Sequence, residues 1–170
     1  IQAAIDAASG SNQNILYFPP GKYLVGELWL RSDMTLYLEG GAVLYGSDNT
    51  EDFNTGEGGI DIEGCSHSVI RMYQIQNAKI LGRGVIDGNG KAVRDQNDTK
   101  INLLKIEESS DILVDGVLVR DPSFWNTLIY RSDHVTLKNY KMINCRPTTT
   151  EYNNTDGVNF DESTNGILYN

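Results

Sequence analysis

Hydrophobic positions at the start of the chain follow a helical period. Ile1, Ala4, Ile5 and Ala8 are spaced so that they share one face of a helix. The glycine two residues after Ala8 stands where such a helix would end, because glycine adopts the backbone conformations that close a last helical turn. The pattern predicts a short helix over residues 1–9.

After this helix the chain changes to short hydrophobic runs rich in β-branched and aromatic residues. Gly, Asn, Asp and Ser separate the runs, which is the punctuation expected between strands. The helical period does not return, so we expect no further helix. The residues predicted to form strands are 15–18, 28–30, 35–38, 42–45, 69–72, 79–81 and 112–114.

The polar breaks between the runs repeat along the chain. Residues 30–36 resemble residues 130–137, and the stretches 75–80, 108–114 and 162–168 are weaker copies. A recurrence at about two dozen residues, with some longer intervals that a loop can absorb, indicates a repeat architecture. We expect the first hydrophobic residue after each polar corner to point inward, in stacked columns. These residues are Met34, Ile80, Ile112, Val135 and Ile167.

The combination of short strands and absent helices favours one architecture. Parallel strands need crossover connections, and here those connections cannot be helices. A parallel β-helix satisfies this requirement, because each coil stacks about 4.8 Å above the previous one. We therefore expect an all-β parallel β-helix whose N-terminal helix covers the open strand edge. An antiparallel sandwich is the alternative that the pattern leaves open.

Length and charge limit the classes of function. The chain has 170 residues, enough for one domain with a sizeable core, and a formal net charge of −9. That charge, without clustered Lys and Arg, argues against a nucleic acid partner. No hydrophobic run approaches the roughly 20 residues that span a bilayer, so no membrane partner is expected.

Both ends of the sequence read as cuts in a longer chain. The first residue is not Met and already lies within the helical pattern. We interpret residues 1–170 as the N-terminal part of a single β-helix domain, cut before its remaining coils. Cys65 and Cys145 are far apart and lack metal-site spacing, so buried thiols and a disulfide both remain open. We expect no metal and no cofactor.

Several segments resemble a known family. Residues 18–23 and 36–44 resemble the first coils of right-handed β-helix hydrolases, and residues 82–90 resemble their G-x-G-x-I-D-G-x-G segment. Residues 121–125 and 154–157 follow in the order found in polygalacturonases, glycoside hydrolase family 28. The similarity covers essentially the whole chain. It implies a right-handed, pectin-lyase-like β-helix and a secreted enzyme.

The resemblance also implies a set of site residues, of which one maps onto this sequence. The family has an Asn-Thr-Asp motif, an Asp-Asp pair one coil later, a Gly-His-Gly and an Arg-x-Lys. Only the first is present, and its Asp is Asp156. The others would lie beyond Asn170, so we expect residues 1–170 alone to be catalytically inactive. The family commonly has a second Asp three residues after the first, where this chain has Asn159.

Asp156 is the candidate catalytic residue. Inverting glycosidases use a carboxylic acid to protonate the leaving oxygen and a carboxylate, roughly 6.5–9.5 Å away, to activate water. Carboxylates on successive coils fit that separation, so Asp156 is interpreted as the base, with its acid partner on a later coil. A turn role beside Asn153 and Asn154 is the alternative. Asn154 is predicted either to orient the carboxylate or to hold the corner.

Trp125, Arg146 and Tyr152 are the other candidates for substrate binding. Counting back from the corners aligns Asp156 with Phe124 one coil earlier. Phe124 and Trp125 would then floor a sugar subsite, and core packing is the alternative. Arg146 and Tyr152 precede Asp156 in an inserted loop, and loops often carry function.

Functions of different classes remain open. The first is an inverting glycoside hydrolase that cleaves α-glycosidic bonds in a pectic polysaccharide. Residues 146–150 and 154–161 resemble the α-1,3-glucanases more faintly, which gives a neutral α-glucan as an alternative substrate. The second class is a β-helix that binds glycans without cutting them. In either case we expect a polysaccharide partner, no nucleic acid, no membrane and a monomer.

Overall fold

A computed structural model describes residues 1–12, 14–53, 59–97, 99–144 and 154–170. These ranges contain a series of short strands, two α-helices and a single 3-10 turn at Thr50–Phe53. In chain order the helices and strands are α1 (Gln2–Ser9), β1 (Ile15–Phe18), β2 (Gly21–Val25), β3 (Leu28–Trp29), β4 (Thr35–Leu38), β5 (Ala42–Gly46), β6 (His67–Tyr73), β7 (Lys79–Gly82), β8 (Val85–Asp87), α2 (Gly90–Asn97), β9 (Ile101–Glu107), β10 (Ser110–Asp115), β11 (Leu118–Arg120), β12 (Thr127–Tyr130), β13 (Asp133–Lys138), β14 (Lys141–Ile143), β15 (Val158–Asp161) and β16 (Ile167–Tyr169).

The strands form three parallel sheets that run along the molecule. Sheet A has the order β1-β4-β7-β10-β13-β16, sheet B the order β14-β11-β8-β5-β2, and sheet C the order β15-β12-β9-β6-β3. Each sheet takes every third strand, so one coil contributes one strand to each sheet. The prediction of a right-handed parallel β-helix is confirmed, and the antiparallel alternative is wrong.

Inward side chains stack in columns through the centre of the coils. Ile112 pairs with Val135, and both are buried, as is Met34. Ile80 is also buried, but it pairs with Leu36 and Val114 and so belongs to the neighbouring inward column.

The prediction that Ile167 points inward is wrong. Ile167 pairs with Thr136, whereas the buried residues of that strand are Val135 and Leu137. Because successive strand residues face opposite sides, a one-residue difference in register moves a side chain to the other face.

Helix α1 covers the start of the coil stack, as predicted. The Gln2 side chain binds both backbone groups of Trp29: its Nε2 donates to the carbonyl and its Oε1 accepts from the amide, each at 2.9 Å. Asp6 accepts a hydrogen bond from Arg31 at 2.9 Å. The hydrophobic face is narrower than predicted, because Ile5 is buried while Ala4 is exposed.

Helix α2 contradicts the expectation that no helix follows the first. It lies between β8 and β9, and its buried hydrophobic side chain is Val93. The Arg94 side chain anchors it by donating to the Ser123 carbonyl. A helix with a single hydrophobic anchor has no helical period for a sequence to display. In the described residues, neither α1 nor α2 combines the length and hydrophobicity that a membrane-spanning helix needs.

The polar corners between sheets C and A form a ladder of serines. The amide of Ser109 donates to the Ser132 hydroxyl at 3.1 Å, and the amide of Ser132 donates to the Ser163 hydroxyl at 3.0 Å. Each hydroxyl in turn donates to a carbonyl two residues earlier on its own coil, at Glu107 for Ser109 and at Tyr130 for Ser132. These contacts explain the repeated polar breaks. The residues with positive φ that precede the three serines are Glu108, Arg131 and Glu162.

Cys65 is a buried free thiol. Its sulfur lies 3.3 Å from the Lys100 carbonyl, and burial raises the pKa of the thiol. Cys145 lies outside the described residues.

Candidate active site

The segment that carries Asp156 is held by the backbone ladder of sheet C. The Asn126 amide donates to the Asp156 carbonyl at 2.8 Å, and the Thr127 amide donates to the Gly157 carbonyl at 3.0 Å. These bonds extend the pairing of β12 with β15 beyond its strand residues, which begin at Thr127 and Val158. The backbone of Asp156 is therefore fixed even though it precedes its strand.

The register places Asp156 level with Trp125 on the preceding coil, not with Phe124 as predicted. Thr127 pairs with Val158, and counting back two residues on each strand reaches Trp125 and Asp156. The prediction counted from polar corners, and the insertion between the two coils does not preserve that count.

The Asp156 side chain faces solvent. It is exposed, and no described residue forms a hydrogen bond or an ion pair with its carboxylate. Asn154 is exposed as well. Neither the orienting role predicted for Asn154 nor its corner role has a described contact behind it, so both stay predictions.

A network of buried and half-buried polar side chains beside the motif was missed by sequence reasoning. The Asn144 side chain donates to the Thr155 carbonyl, and its Oδ1 accepts from Asn126 Nδ2 at 2.8 Å. Thr127 Oγ1 lies 3.3 Å from Asn126 Oδ1 and 2.7 Å from the hydroxyl of Tyr140. Burial raises the pKa of Tyr140, so it acts as a neutral hydroxyl. Only the register brings these residues together, and the sequence gives no signal for it.

Asn159 stands where the resemblance has a second Asp. It lies in β15 and pairs with Leu128. Its Nδ2 is buried, and no hydrogen-bond partner for it lies among the described residues. A neutral amide at this position carries no charge that would compete with Asp156.

Trp125 and Phe124 form a stacked pair next to the motif. Their ring centroids are 4.7 Å apart with an interplanar angle of 19°. Phe124 is buried and Trp125 is half-buried, so the pair has a core side and an accessible side. The ammonium of Lys100 lies 4.7 Å from the centroid of the Phe124 ring.

The other two candidates for substrate binding, Arg146 and Tyr152, lie outside the described residues. Two further acids of the sequence have surroundings typical of strand ends and turns. Asp161 is exposed, as a solvated strand-end acid would be. Asp87 is a turn anchor, since its carboxylate pairs with Arg120 at 2.6 Å and accepts from the Asn89 amide at 3.0 Å.

A second polar group, the buried ion cluster, consists of Glu27, Arg71, Lys105 and Glu107 on sheet C and beside it. Arg71 Nε lies 3.1 Å from Glu107 and 3.6 Å from Glu27, and Lys105 Nζ lies 3.1 Å from Glu107. All four side chains are buried. Burial raises the pKa of Glu27, partly offset by Arg71, and burial lowers the pKa of Lys105.

Residues 59–66, here called the covering segment, lie over this cluster. The Ile60 amide donates to Glu107 at 3.0 Å. Lys105 Nζ donates to the Cys65 carbonyl at 3.1 Å and to the Ile60 carbonyl, and the Arg71 guanidinium donates to the Ser66 carbonyl. Sequence reasoning missed this arrangement, although charges alternating with hydrophobic residues in β9 were a possible signal.

No group of three or more His, Cys, Asp or Glu that could hold a metal occurs in the part of the chain that the structure describes. The chemistry available at the described site is therefore that of one exposed carboxylate, polar amides and an aromatic surface. Such a set can activate water and bind a sugar ring, but one carboxylate does not supply both roles that inversion requires.

Comparison with known proteins identifies one family. The family model for glycosyl hydrolases family 28 matches residues 12–170. An exo-poly-α-D-galacturonosidase of Dickeya chrysanthemi is 34% identical over 136 residues, which are 71% of this chain and 22% of that protein. The "Probable endo-xylogalacturonan hydrolase A" of Aspergillus fumigatus is 30% identical over 167 residues, 92% of this chain and 39% of that protein.

A solved structure has the same fold over nearly the whole chain. The family 28 exopolygalacturonase of Yersinia enterocolitica is 25% identical, with a TM-score of 0.80 over 99% of this chain and 38% of that one. The chain thus spans between 22% and 39% of the length of these relatives.

Proposed function

Because the chain belongs to family 28 of the glycosyl hydrolases, we propose that the protein hydrolyses α-glycosidic bonds in a pectic polysaccharide with inversion. The relatives are named for galacturonate-containing polymers, which supports the substrate class. The observation that carries the proposal is that the sheet C ladder fixes the backbone of Asp156, the aspartate of the Asn-Thr-Asp motif.

In this proposal Asp156 is the base that activates water. Its carboxylate has no hydrogen-bond partner among the described residues, so it can accept a proton from a water molecule that it orients. The Asn144 side chain donates to the Thr155 carbonyl, and the Asn126 side chain donates to Asn144, so both act as positioning residues. The general acid would come from a later coil, beyond Asn170, since carboxylates one or two coil spacings of about 4.8 Å apart can reach the separation that inversion needs.

The proposed substrate contacts surround Asp156. Trp125 lies level with it one coil away, and its accessible side offers an apolar surface for a sugar ring. Asn154, two residues before Asp156, offers an amide to sugar hydroxyl groups. Arg146 and Tyr152 remain proposed contacts on sequence grounds alone.

The setting of the protein follows from the same family membership. We propose a secreted monomer that acts on polysaccharide outside the cell. A neutral α-glucan remains the alternative substrate, and parallel assays on polygalacturonate and α-1,3-glucan separate the two. If reducing sugar were released from the glucan alone, the glucan would replace the pectic polysaccharide as the proposed substrate.

The test of the mechanism is Asp156→Asn in the full-length protein. Asn has nearly the same size but cannot accept the proton, so turnover should fall by about 10²–10⁴-fold. The melting temperature should stay the same, because the side chain is exposed and no described group bonds to it. Reducing-sugar release and thermal unfolding are measured on one preparation.

Asp161→Asn is the matched control, since it removes an exposed carboxylate from the same segment. Its turnover should be near that of the wild type. If Asp156 were a turn residue, Asn would replace it without loss, because Asn serves the same turn. Near-normal turnover in Asp156→Asn would remove Asp156 from the mechanism.

A further inference from the structure

The outer side of sheet C is covered on the coils that precede the candidate site. All seven residues of β9 are buried, including the charged Lys105 and Glu107, and five of the seven residues of β6 are buried. Charged side chains are rarely buried unless they are paired. Here the covering segment accounts for the burial of Lys105 and Glu107, which it contacts, whereas the hydrophobic residues of β9 belong to the core.

The covering segment is fixed firmly to these coils. Glu107 accepts the Ile60 amide, Lys105 donates to two carbonyls of the segment, and Arg71 donates to a third. Hydrogen bonds that involve a charged partner are about twice as strong as neutral ones. The segment is therefore a fixed part of the surface of sheet C.

The covering segment reaches the aromatic pair beside Asp156. Lys100 Nζ donates to the Glu63 carbonyl at 2.7 Å and lies over the Phe124 ring, and Phe124 stacks on Trp125. An unbroken chain of contacts thus runs from the segment to Trp125. A polysaccharide bound over Asp156 and extended toward β9 would meet the covering segment.

The room between Asp156 and the covered coils is short. Trp125 is one coil from Asp156, and β9 is two coils away. With a rise of about 4.8 Å per coil, the free length is about 10 Å. Only a short length of polysaccharide therefore fits before the covering segment.

We propose that the covering segment closes one end of the substrate cleft, so that Lys100 and Trp125 receive the terminus of an acidic polysaccharide chain and exclude its interior. The inference rests on the proposed function and adds its mode of attack, which is from a chain end. The relatives do not decide this point, since their names include both exo- and endo-acting proteins.

Lys100 supplies the charge that a uronate terminus needs. Its side chain is half-buried, and its described partners, the Glu63 carbonyl and the Phe124 ring, carry no negative charge. A protein of net charge −9 needs such a local cation to hold a carboxylate.

The experiment compares oligogalacturonates of one length in three forms: uncapped, capped with a bulky group at the reducing end, and capped at the non-reducing end. Binding to full-length Asp156→Asn protein is measured by calorimetry, which requires no hydrolysis. We expect one cap to weaken binding by about tenfold or more, because it cannot pass the covering segment, and the other cap to be tolerated. Equal binding of all three forms, or no binding of the uncapped form, overturns the inference.

Lys100→Met tests the recognition of the terminal carboxylate. It keeps the length of the side chain and removes one charge-assisted contact, so the uncapped oligomer should bind roughly tenfold more weakly. Lys141→Met, which removes an exposed lysine from sheet B, should bind as the parent does. Equal affinity of the two variants would remove Lys100 from the site.

Products separate this inference from the proposed function. With wild-type protein and long polygalacturonate, attack from a chain end gives a single short product from the earliest times. A mixture of lengths at early times would leave the hydrolase proposal intact and overturn the closed end. Loss of the Asp156 base from the mechanism would leave the binding result standing.

Discussion

Glu107 and Asp156 are carboxylates on neighbouring parts of sheet C with opposite surroundings. Glu107 ends β9, is completely buried, and is bonded by Arg71, Lys105 and the Ile60 amide. Asp156 precedes β15, is exposed, and has no described partner for its carboxylate. A carboxylate that is paired with buried cations and a backbone amide stabilises the fold. One without such partners among the described residues is available to water and substrate.

The covering segment lies over Glu107, whereas Asp156 lies on the last coil, whose strands β15 and β16 contain no buried residue. Burying an ion pair costs on the order of several kcal/mol per charge in desolvation. Only close pairing together with further hydrogen bonds offsets that desolvation cost. The buried ion cluster meets that condition with two cations, two carboxylates and the backbone of the covering segment. We expect substitutions there to change stability first, and substitutions at Asp156 to change turnover first.

The largest effect on stability should come from Glu107→Ala. The change leaves Arg71 and Lys105 buried without their shared counter-charge, which costs about 3–5 kcal/mol when one partner of a buried pair is removed. Urea unfolding measures the free energy of unfolding. The matched control is Glu108→Ala, which removes an exposed carboxylate one residue later and should change it by about 0.5 kcal/mol or less.

The comparison depends on this prediction. If Glu107→Ala and Glu108→Ala had the same free energy of unfolding, the buried carboxylate would not be structural. The contrast with Asp156 would then disappear.

A smaller loss of stability should follow from Gly59→Ala, which disturbs the covering segment and leaves the charges of the buried ion cluster in place. Gly59 has φ of +131°, where side chains are strained, and an added methyl group would overlap the Arg71 guanidinium. We expect a loss of about 1–3 kcal/mol. Gly40→Ala, where an added methyl group has no atom within 4 Å, should be close to neutral. Equal melting temperatures for the two variants would show that the segment is not tightly seated.

The smallest effect is a pH dependence at Glu27. Burial raises its pKa above the ordinary value of 4.5, so from pH 4.5 upward the folded state keeps a proton that the unfolded state has released. The stabilisation is complete below pH 4.5 and is lost as the pH rises through the raised pKa. The difference in unfolding free energy, wild type minus Glu27→Gln, should therefore decrease with pH in that window. A difference that is flat or increasing would contradict the assignment.

Sequence reasoning predicted the fold well where the pattern is local. The serine corners repeat because each coil turns by the same hydrogen bonds, so Ser109 and Ser132 marked the repeat correctly. It failed where one residue of register matters: Ile167 faces outward, and Asp156 lies level with Trp125. Helix α2 was missed because Val93 alone anchors it.

The candidate site was predicted only as far as its motif. Asp156 and Trp125 belong to recognisable local segments, whereas Asn144 and Tyr140 become relevant only when two coils are stacked. The buried ion cluster was missed for a related reason. Arg71 and Lys105 read as ordinary surface charges until the covering segment is placed over them.

The serine ladder also has a consequence for how the chain acquires its structure. Each rung joins a coil to the next one, and none joins coils that are further apart. In such a linear array folding can start at one place and spread to adjacent units. With α1 and the first coils synthesised first, every later coil leaves the ribosome next to a completed surface. Assembly can therefore follow the order of translation, one coil at a time.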